Sequence, residues 1–123
     1  MNDKKSQTQD PLKDKSCIPC EGGVPALSLA KKSQLLKQLD KNWSLVDQGS
    51  KLELRLEFKD FKAPMEVANK IATIADKQWH HPDLLISYGG LLITLWTHKI
   101  GDLVESDFIF AAKVDEVIEN YED

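Results

Sequence analysis

All three imidazoles of this chain fall between residues 80 and 98. His80 and His81 are adjacent and precede Pro82, and His98 follows seventeen residues after His81. Asp76 stands four residues before His80, so on a continuing helix the two share a face. Asp107 lies a little beyond His98. Imidazole titrates near neutrality and serves as base, acid or ligand. Three readings of the cluster stand open. In acid–base catalysis one ring takes a proton and another delivers one. In a metal site the rings bind a cation, although an adjacent pair with a distant third is poor zinc spacing, since helical ligand pairs sit three or four residues apart. The third reading is surface or capping histidines without chemistry. Trp96, two residues before His98, shares its side of an extended strand. It can wall a flat ring or simply pack.

The elements that must hold these residues are readable from periodicity. Ser28 is a plausible N-cap for a first helix with Leu35, Leu36 and Leu39 as its apolar stripe. Trp43–Val46 and Leu52–Phe58 flank a turn at Asp47-Gln48-Gly49-Ser50. Leu52, Leu54, Leu56 and Phe58 alternate with Glu53, Arg55 and Glu57, the pattern of a half-buried antiparallel strand. Pro64 suits the first turn of a second helix, whose expected buried face is Val67, Ala68, Ile71, Ala72, Ile74 and Ala75. Pro82 disfavours helix at His81, so this helix ends before it. Leu84–Tyr88 and Leu91–His98 form a second hairpin through Gly89-Gly90, with His98 ending its strand and Tyr88 at its turn. A third helix fills 103–120, opened by Asp102 and Glu105 as a variant capping box. The order is α-β-β-α-β-β-α. It fits an α+β fold with a four-stranded antiparallel sheet and three helices packed on one face. Four strands leave two edges, and the weakly charged second hairpin offers the stickier one for a second subunit.

Composition narrows the possibilities. The 123 residues suit one domain, with 41% apolar and 29% charged residues. Lys and Arg number 16 against 20 Asp and Glu, a net charge of −4 that disfavours general nucleic-acid binding. No apolar run is long enough to span a bilayer, and no secretory signal follows the N-terminal lysines, so the expected compartment is cytoplasmic. Residues 1–16 read as a flexible polar tail and 17–26 as a Cys-, Gly- and Pro-containing leader loop. A single domain is expected over 27–123. Cys17-Ile18-Pro19-Cys20 has the spacing of a thiol or metal motif but follows a polar tail rather than a core strand, so a structural or incidental role is expected.

The spacing Asp76-x3-His80-His81-Pro82-x5-Tyr88-x9-His98-x8-Asp107 resembles the signature of the pterin-4a-carbinolamine dehydratases, the dimerisation-cofactor family. The likeness extends over Thr97-His98-Lys99-Ile100-Gly101-Asp102-Leu103, over Asp107–Asp115 and over the Cys17–Pro25 leader. Asp102 departs from the usual second glycine of that turn, Val104 from a usual Ser or Thr cap, and Trp79 from a smaller residue. The resemblance implies a catalytic domain that dehydrates 4a-hydroxytetrahydropterin to quinonoid dihydropterin without metal or cofactor. It implies His80 and His98 as the acid–base pair and His81 as a substrate-binding residue. Beside them Asp76 and Trp96 are expected at the substrate and Tyr88 in support, while Asp107 is expected to support the site or cap its helix, with direct substrate contact as the alternative. It further implies a homodimer or homotetramer, and recycling of tetrahydropterin for an aromatic amino-acid hydroxylase. Two alternatives are a family member serving molybdopterin metabolism and a non-catalytic interaction or dimerisation factor, the role of animal members toward a homeodomain protein.

Overall fold

A computed structural model describes residues 11–17 and 25–121. Its helices are α1 (Leu29–Leu36), α2 (Lys62–Gln78) and α3 (Glu105–Asn120). Its strands are β1 (Ser44–Val46), β2 (Lys51–Glu57), β3 (Asp83–Ser87) and β4 (Gly90–Leu95). They form one antiparallel sheet in the order β1-β2-β4-β3, which bears out the expected α+β topology. The alternation in β2 sets the layers. Leu52 and Leu54 pair with Leu95 and Ile93 and are buried with them, while Arg55 and Glu57 face solvent. Against the apolar face lie Val67, Ala68, Ile71 and Ala75 of α2 and Phe108, Ala111 and Val114 of α3. Each large apolar side chain removed from water here contributes about 1.5–3 kcal/mol. Among the described residues no helix is long and apolar enough to cross a membrane.

Local chemistry explains most boundaries. The Ser28 hydroxyl accepts the Lys31 N–H at 3.1 Å and caps α1. The Asp60 carboxylate does the same for α2, accepting the Ala63 N–H at 3.0 Å. Gly89 turns the second hairpin at φ 75°, where a Cβ would come within 3.2 Å of the Phe58 carbonyl oxygen.

Several expectations are corrected. Ala72 faces solvent, because the buried stripe of α2 runs through Ile71 and Ala75. β4 ends at Leu95, so His98 lies in the following turn rather than on the strand. The Asp102–Glu105 capping box does not form; Asp107 caps α3 instead, and Asp102 turns to a lysine. The second hairpin does supply a sheet edge, but β3 is that edge, whereas β4 is interior. Residues 11–16 were expected in a polar tail, yet Leu12–Asp14 form a 3-10 turn that buries Leu12 against α3. Cys17 is buried next to it, its backbone N–H donating to Gln78 Oε1 at 2.8 Å. Burial pushes the Cys17 thiol up to about 11, so it stays protonated at neutral pH. Cys20 lies outside the described residues, as does most of the leader loop.

A buried cation ties the first helix to two turns. Lys32 in α1 is buried, and its Nζ donates to the Gly49 carbonyl at 2.7 Å and to Asp102 Oδ1 at 2.6 Å. Asp102 also accepts the Leu103 N–H at 2.7 Å. The Lys32 hydrogen bond holds the Asp102 carboxyl below its usual 3.8. The turn closes despite the missing second glycine, because only Gly101 needs positive φ, at 70°. Lys32→Met is expected to cost about 2–4 kcal/mol, at or below the range for breaking a fully buried pair. A depressed folded pKa contributes stability above the unfolded value, and that contribution is lost as pH falls through the folded one. The gap between wild type and variant in urea unfolding should therefore narrow as pH drops below about 4. A gap that stays constant from pH 6 to pH 3 would refute the pairing.

Candidate active site

Two chain segments meet at one end of the sheet. The first is the end of α2. Its cap, Trp79, adopts the left-handed conformation (φ 55°, ψ 40°), and the Trp79 and His80 N–H groups both return to the Ala75 carbonyl. This closure turns the chain sharply, so His80 points inward and His81 outward before Pro82 starts the run into β3. The second is the turn after β4, in which the Gly101 N–H donates to the Thr97 carbonyl at 2.8 Å and the Thr97 N–H to that of Asp102 at 3.0 Å. It carries Trp96, Thr97, His98 and Lys99.

Asp107 joins the two. Its side chain is 0% exposed. One carboxylate oxygen lies 2.7 Å from His80 Nε2. The other accepts the Thr97 hydroxyl at 2.8 Å and the Val104 N–H at 2.9 Å. Asp107 thus caps α3 and orients an imidazole at once. Because the carboxylate accepts, a neutral His80 carries its proton on Nε2 and leaves the Nδ1 lone pair available.

Asp76 was expected beside His80. It lies instead 3.2 Å from His81 Nε2, at the surface, because the left-handed Trp79 ends the helix before the four-residue spacing reaches His80. His98 stacks on Trp96, ring centroids 4.3 Å apart and planes 29° from parallel. The Lys51 ammonium lies 4.3 Å from the same indole centroid. Trp96 is therefore already engaged by protein groups. Trp79, His80, His81, Trp96, Thr97, His98 and Lys99 line a cleft of about 210 Å³. A larger cleft of about 620 Å³ lies along Glu66, Asn69, Lys70 and Tyr121, but it holds no imidazole. Chemistry rather than size selects the first.

Tyr88 does not belong to the site. It sits at the hairpin turn, 78% exposed, its hydroxyl donating to the Lys59 carbonyl at 3.3 Å. The five residues of β3, at about 3.3 Å each, put it about 17 Å from the cleft. Sequence reasoning overlooked Thr97 and Lys99, and noted Trp79 only as bulky. Thr97 was signalled by its place directly before His98. Among the described residues no group of three or more His, Cys, Asp or Glu side chains is gathered closely enough to hold a metal ion.

Asp107→Ala leaves the Thr97 hydroxyl, the Val104 N–H and His80 without an acceptor. Unpaired buried donors cost about 1–3 kcal/mol each, so a total loss of about 2–4 kcal/mol is expected after relaxation. Urea unfolding measures it. A loss under about 0.5 kcal/mol would show that Asp107 does not hold the three elements together.

Residues 25–117 match the family model described as pterin 4 alpha carbinolamine dehydratase. A Rickettsia bellii protein provisionally named pterin-4-alpha-carbinolamine dehydratase is 51% identical over 104 residues, 85% of this chain and 91% of that one. An Alkaliphilus metalliredigens protein with the same provisional name is 46% identical over 104 residues, covering 85% and 93% of the two chains. A Brucella melitensis crystal structure titled transcriptional coactivator/pterin dehydratase superposes with a TM-score of 0.70 at 28% identity, over 76% of this chain and 98% of that one. The family-model match over residues 25–117, with relatives 46% and 51% identical over 85% of the chain, places this chain in the pterin 4 alpha carbinolamine dehydratase family.

Proposed function

We propose that this chain dehydrates a 4a-hydroxytetrahydropterin to the quinonoid dihydropterin, returning a tetrahydropterin cofactor to use, for instance by an aromatic amino-acid hydroxylase. The observation that carries the reading is the pair His80 and His98 on one cleft, with His80 held by the buried Asp107. The family model and the names of the relatives support the same chemistry. The reaction needs no strong nucleophile. One group must take the proton from N5 and another must protonate the departing 4a-hydroxyl.

In this reading the His80 Nδ1 lone pair accepts the N5 proton. The N–H electron pair becomes the N5=C4a bond, and the C4a–O bond breaks. His98 gives its proton to the leaving oxygen, which departs as water. Solvent then returns His80 and His98 to their starting states; His98 is exposed, so exchange is direct. Asp107 fixes the His80 tautomer, and Trp96 holds the His98 ring plane. His81, steadied by Asp76, contacts the substrate from the rim. A scaffold would need Asp107 as a cap and a brace, but it would not need two imidazoles presented on one cleft.

His80→Ala and His98→Ala are each expected to lower turnover of 4a-hydroxytetrahydropterin by about 10²–10⁴-fold. His81→Ala should mainly raise KM. Unchanged turnover in His98→Ala would overturn the assignment of the acid.

A homodimer, with a tetramer as a further stage, accompanies this proposal. β3 is an edge strand whose outward Leu85 is 63% exposed, and the other edge, β1, has only three residues. Joining edges pairs backbone groups that otherwise face water, and a symmetric contact uses the same patch twice. Sedimentation at micromolar concentration should give at least twice 13.9 kDa. Leu85→Lys should shift it toward one chain while circular dichroism stays native. A single-chain mass for the wild type at every concentration would reject the assembly.

A further inference from the structure

Trp79 breaks two local rules. Its φ of 55° lies in the left-handed region, which glycine enters freely and asparagine tolerates, and which crowds the Cβ of a bulky side chain. Two other non-glycine residues share such angles, Asp47 and Gln48, and both are polar residues of an exposed turn. Its indole is also 72% exposed, among the most exposed large apolar side chains described. The helix end needs left-handed geometry at this position, so a small or polar residue would satisfy the backbone better. The two hydrogen bonds to the Ala75 carbonyl offset part of the backbone cost, but they do not call for an indole at this position. The ring makes one edge contact, to His81 at 5.8 Å between centroids, and its N–H has no hydrogen-bond partner among the described residues.

The position of the ring supplies the reason. Trp79 lines the cleft that also presents His80 and His98. The other tryptophan there, Trp96, already carries the His98 ring and the Lys51 ammonium at its faces. Trp79 is the aromatic surface left for a ligand. Residues held in sparsely populated backbone regions gather at ligand clamps, where binding makes use of the constraint. We propose that Trp79 is a specificity-determining residue that stacks on the planar, conjugated amide–guanidine part of the substrate's pyrimidine ring, so that the cleft selects fused bicyclic pterin-type compounds. This rests on the pterin reading of the cleft given above.

The experiment compares the full-length wild type with Trp79→Asn and Trp79→Phe. Asparagine relieves the backbone and removes the ring, whereas phenylalanine keeps both ring and constraint. Three quantities are read: the affinity for biopterin by calorimetry, KM and kcat with 4a-hydroxytetrahydropterin, and Tm. Trp79→Asn should weaken biopterin and raise KM by about 3- to 10-fold, the weight of one aromatic stacking contact. Its kcat should stay within about twofold, and its Tm should rise by about 2–4 °C as strain is relieved. Trp79→Phe should retain most of the affinity and the wild-type Tm. This opposition, weaker binding with a more stable fold, is what a merely structural tryptophan would not give. Unchanged affinity in Trp79→Asn overturns the proposal. So does a fall in both Tm and affinity, or a change in sedimentation mass with affinity intact, which would make the ring part of a subunit contact. If the wild type neither binds biopterin nor turns over the substrate, the pterin reading of the cleft fails, and the inference about Trp79 falls with it.

Discussion

A fully buried carboxylate has to find donors, and Asp107 finds one in each of three separate parts of the chain. Leaving such a charge unpaired in the interior would cost several kcal/mol. The start of α3, the turn after β4 and the residue after the cap of α2 must therefore converge on it. That convergence brings the end of α2 up to the end of β4 and so forms the cleft. The Val104 cap gives the helix nothing from its own side chain, and the N3 carboxylate supplies only half of a reciprocal capping box. The Asp107 charge also sits where the α3 dipole favours it.

The second imaginable weak point, the His98 turn, is held from both ends. Thr97 is fixed by Asp107, and Asp102 by Lys32, whose other bond reaches Gly49 in the turn between β1 and β2. That same turn leads into Lys51, which lies against Trp96, and Trp96 in turn stacks with His98. Two routes, one ionic and one aromatic, thus run from the β1–β2 turn to the same loop. The substitution of aspartate for a second glycine in that loop makes sense beside the buried lysine. It gives Lys32 a counter-charge and leaves the one required left-handed angle to Gly101.

The strands were legible because a half-buried strand writes its environment into every second residue, and Leu52, Leu54 and the charges between them read without ambiguity. The helix ends were legible where a cap or proline marks them, at Ser28 and Pro82. The histidine cluster was legible as a cluster, and the family resemblance gave its order. Pairings were not. Helical spacing tied Asp76 to His80, but a single left-handed residue between them moved the partner to His81, and no propensity forecasts that angle at a tryptophan. Asp107 could be read as a cap, whereas its bond to His80 joins residues far apart in the chain and shows only once the elements are packed. Tyr88 was drawn into the site by its fixed spacing in the motif, although one strand length separates it from the cleft. The tail failed for a simpler reason. One leucine among lysines and aspartates looks solvated until a neighbouring helix buries it.

The three imidazoles end up in unlike surroundings. His80 is 11% exposed and bonded to a buried carboxylate, so its ring plane and proton position are set before any ligand arrives. His81 is half exposed beside an exposed carboxylate and can adjust. His98 is exposed, but it is held flat against an indole. The proposed dehydration would use this division. A ring proposed to present a lone pair in a fixed direction would profit from rigidity, since a small displacement of a base lowers the rate steeply. A ring proposed to give up a proton and regain it from solvent would profit from contact with water. Stacking lets His98 keep its orientation without giving up either nitrogen to a protein hydrogen bond, and among the described residues it makes none. The neighbouring tryptophan thus does for His98 what the carboxylate does for His80, by a contact that leaves the ring edge open to substrate and solvent.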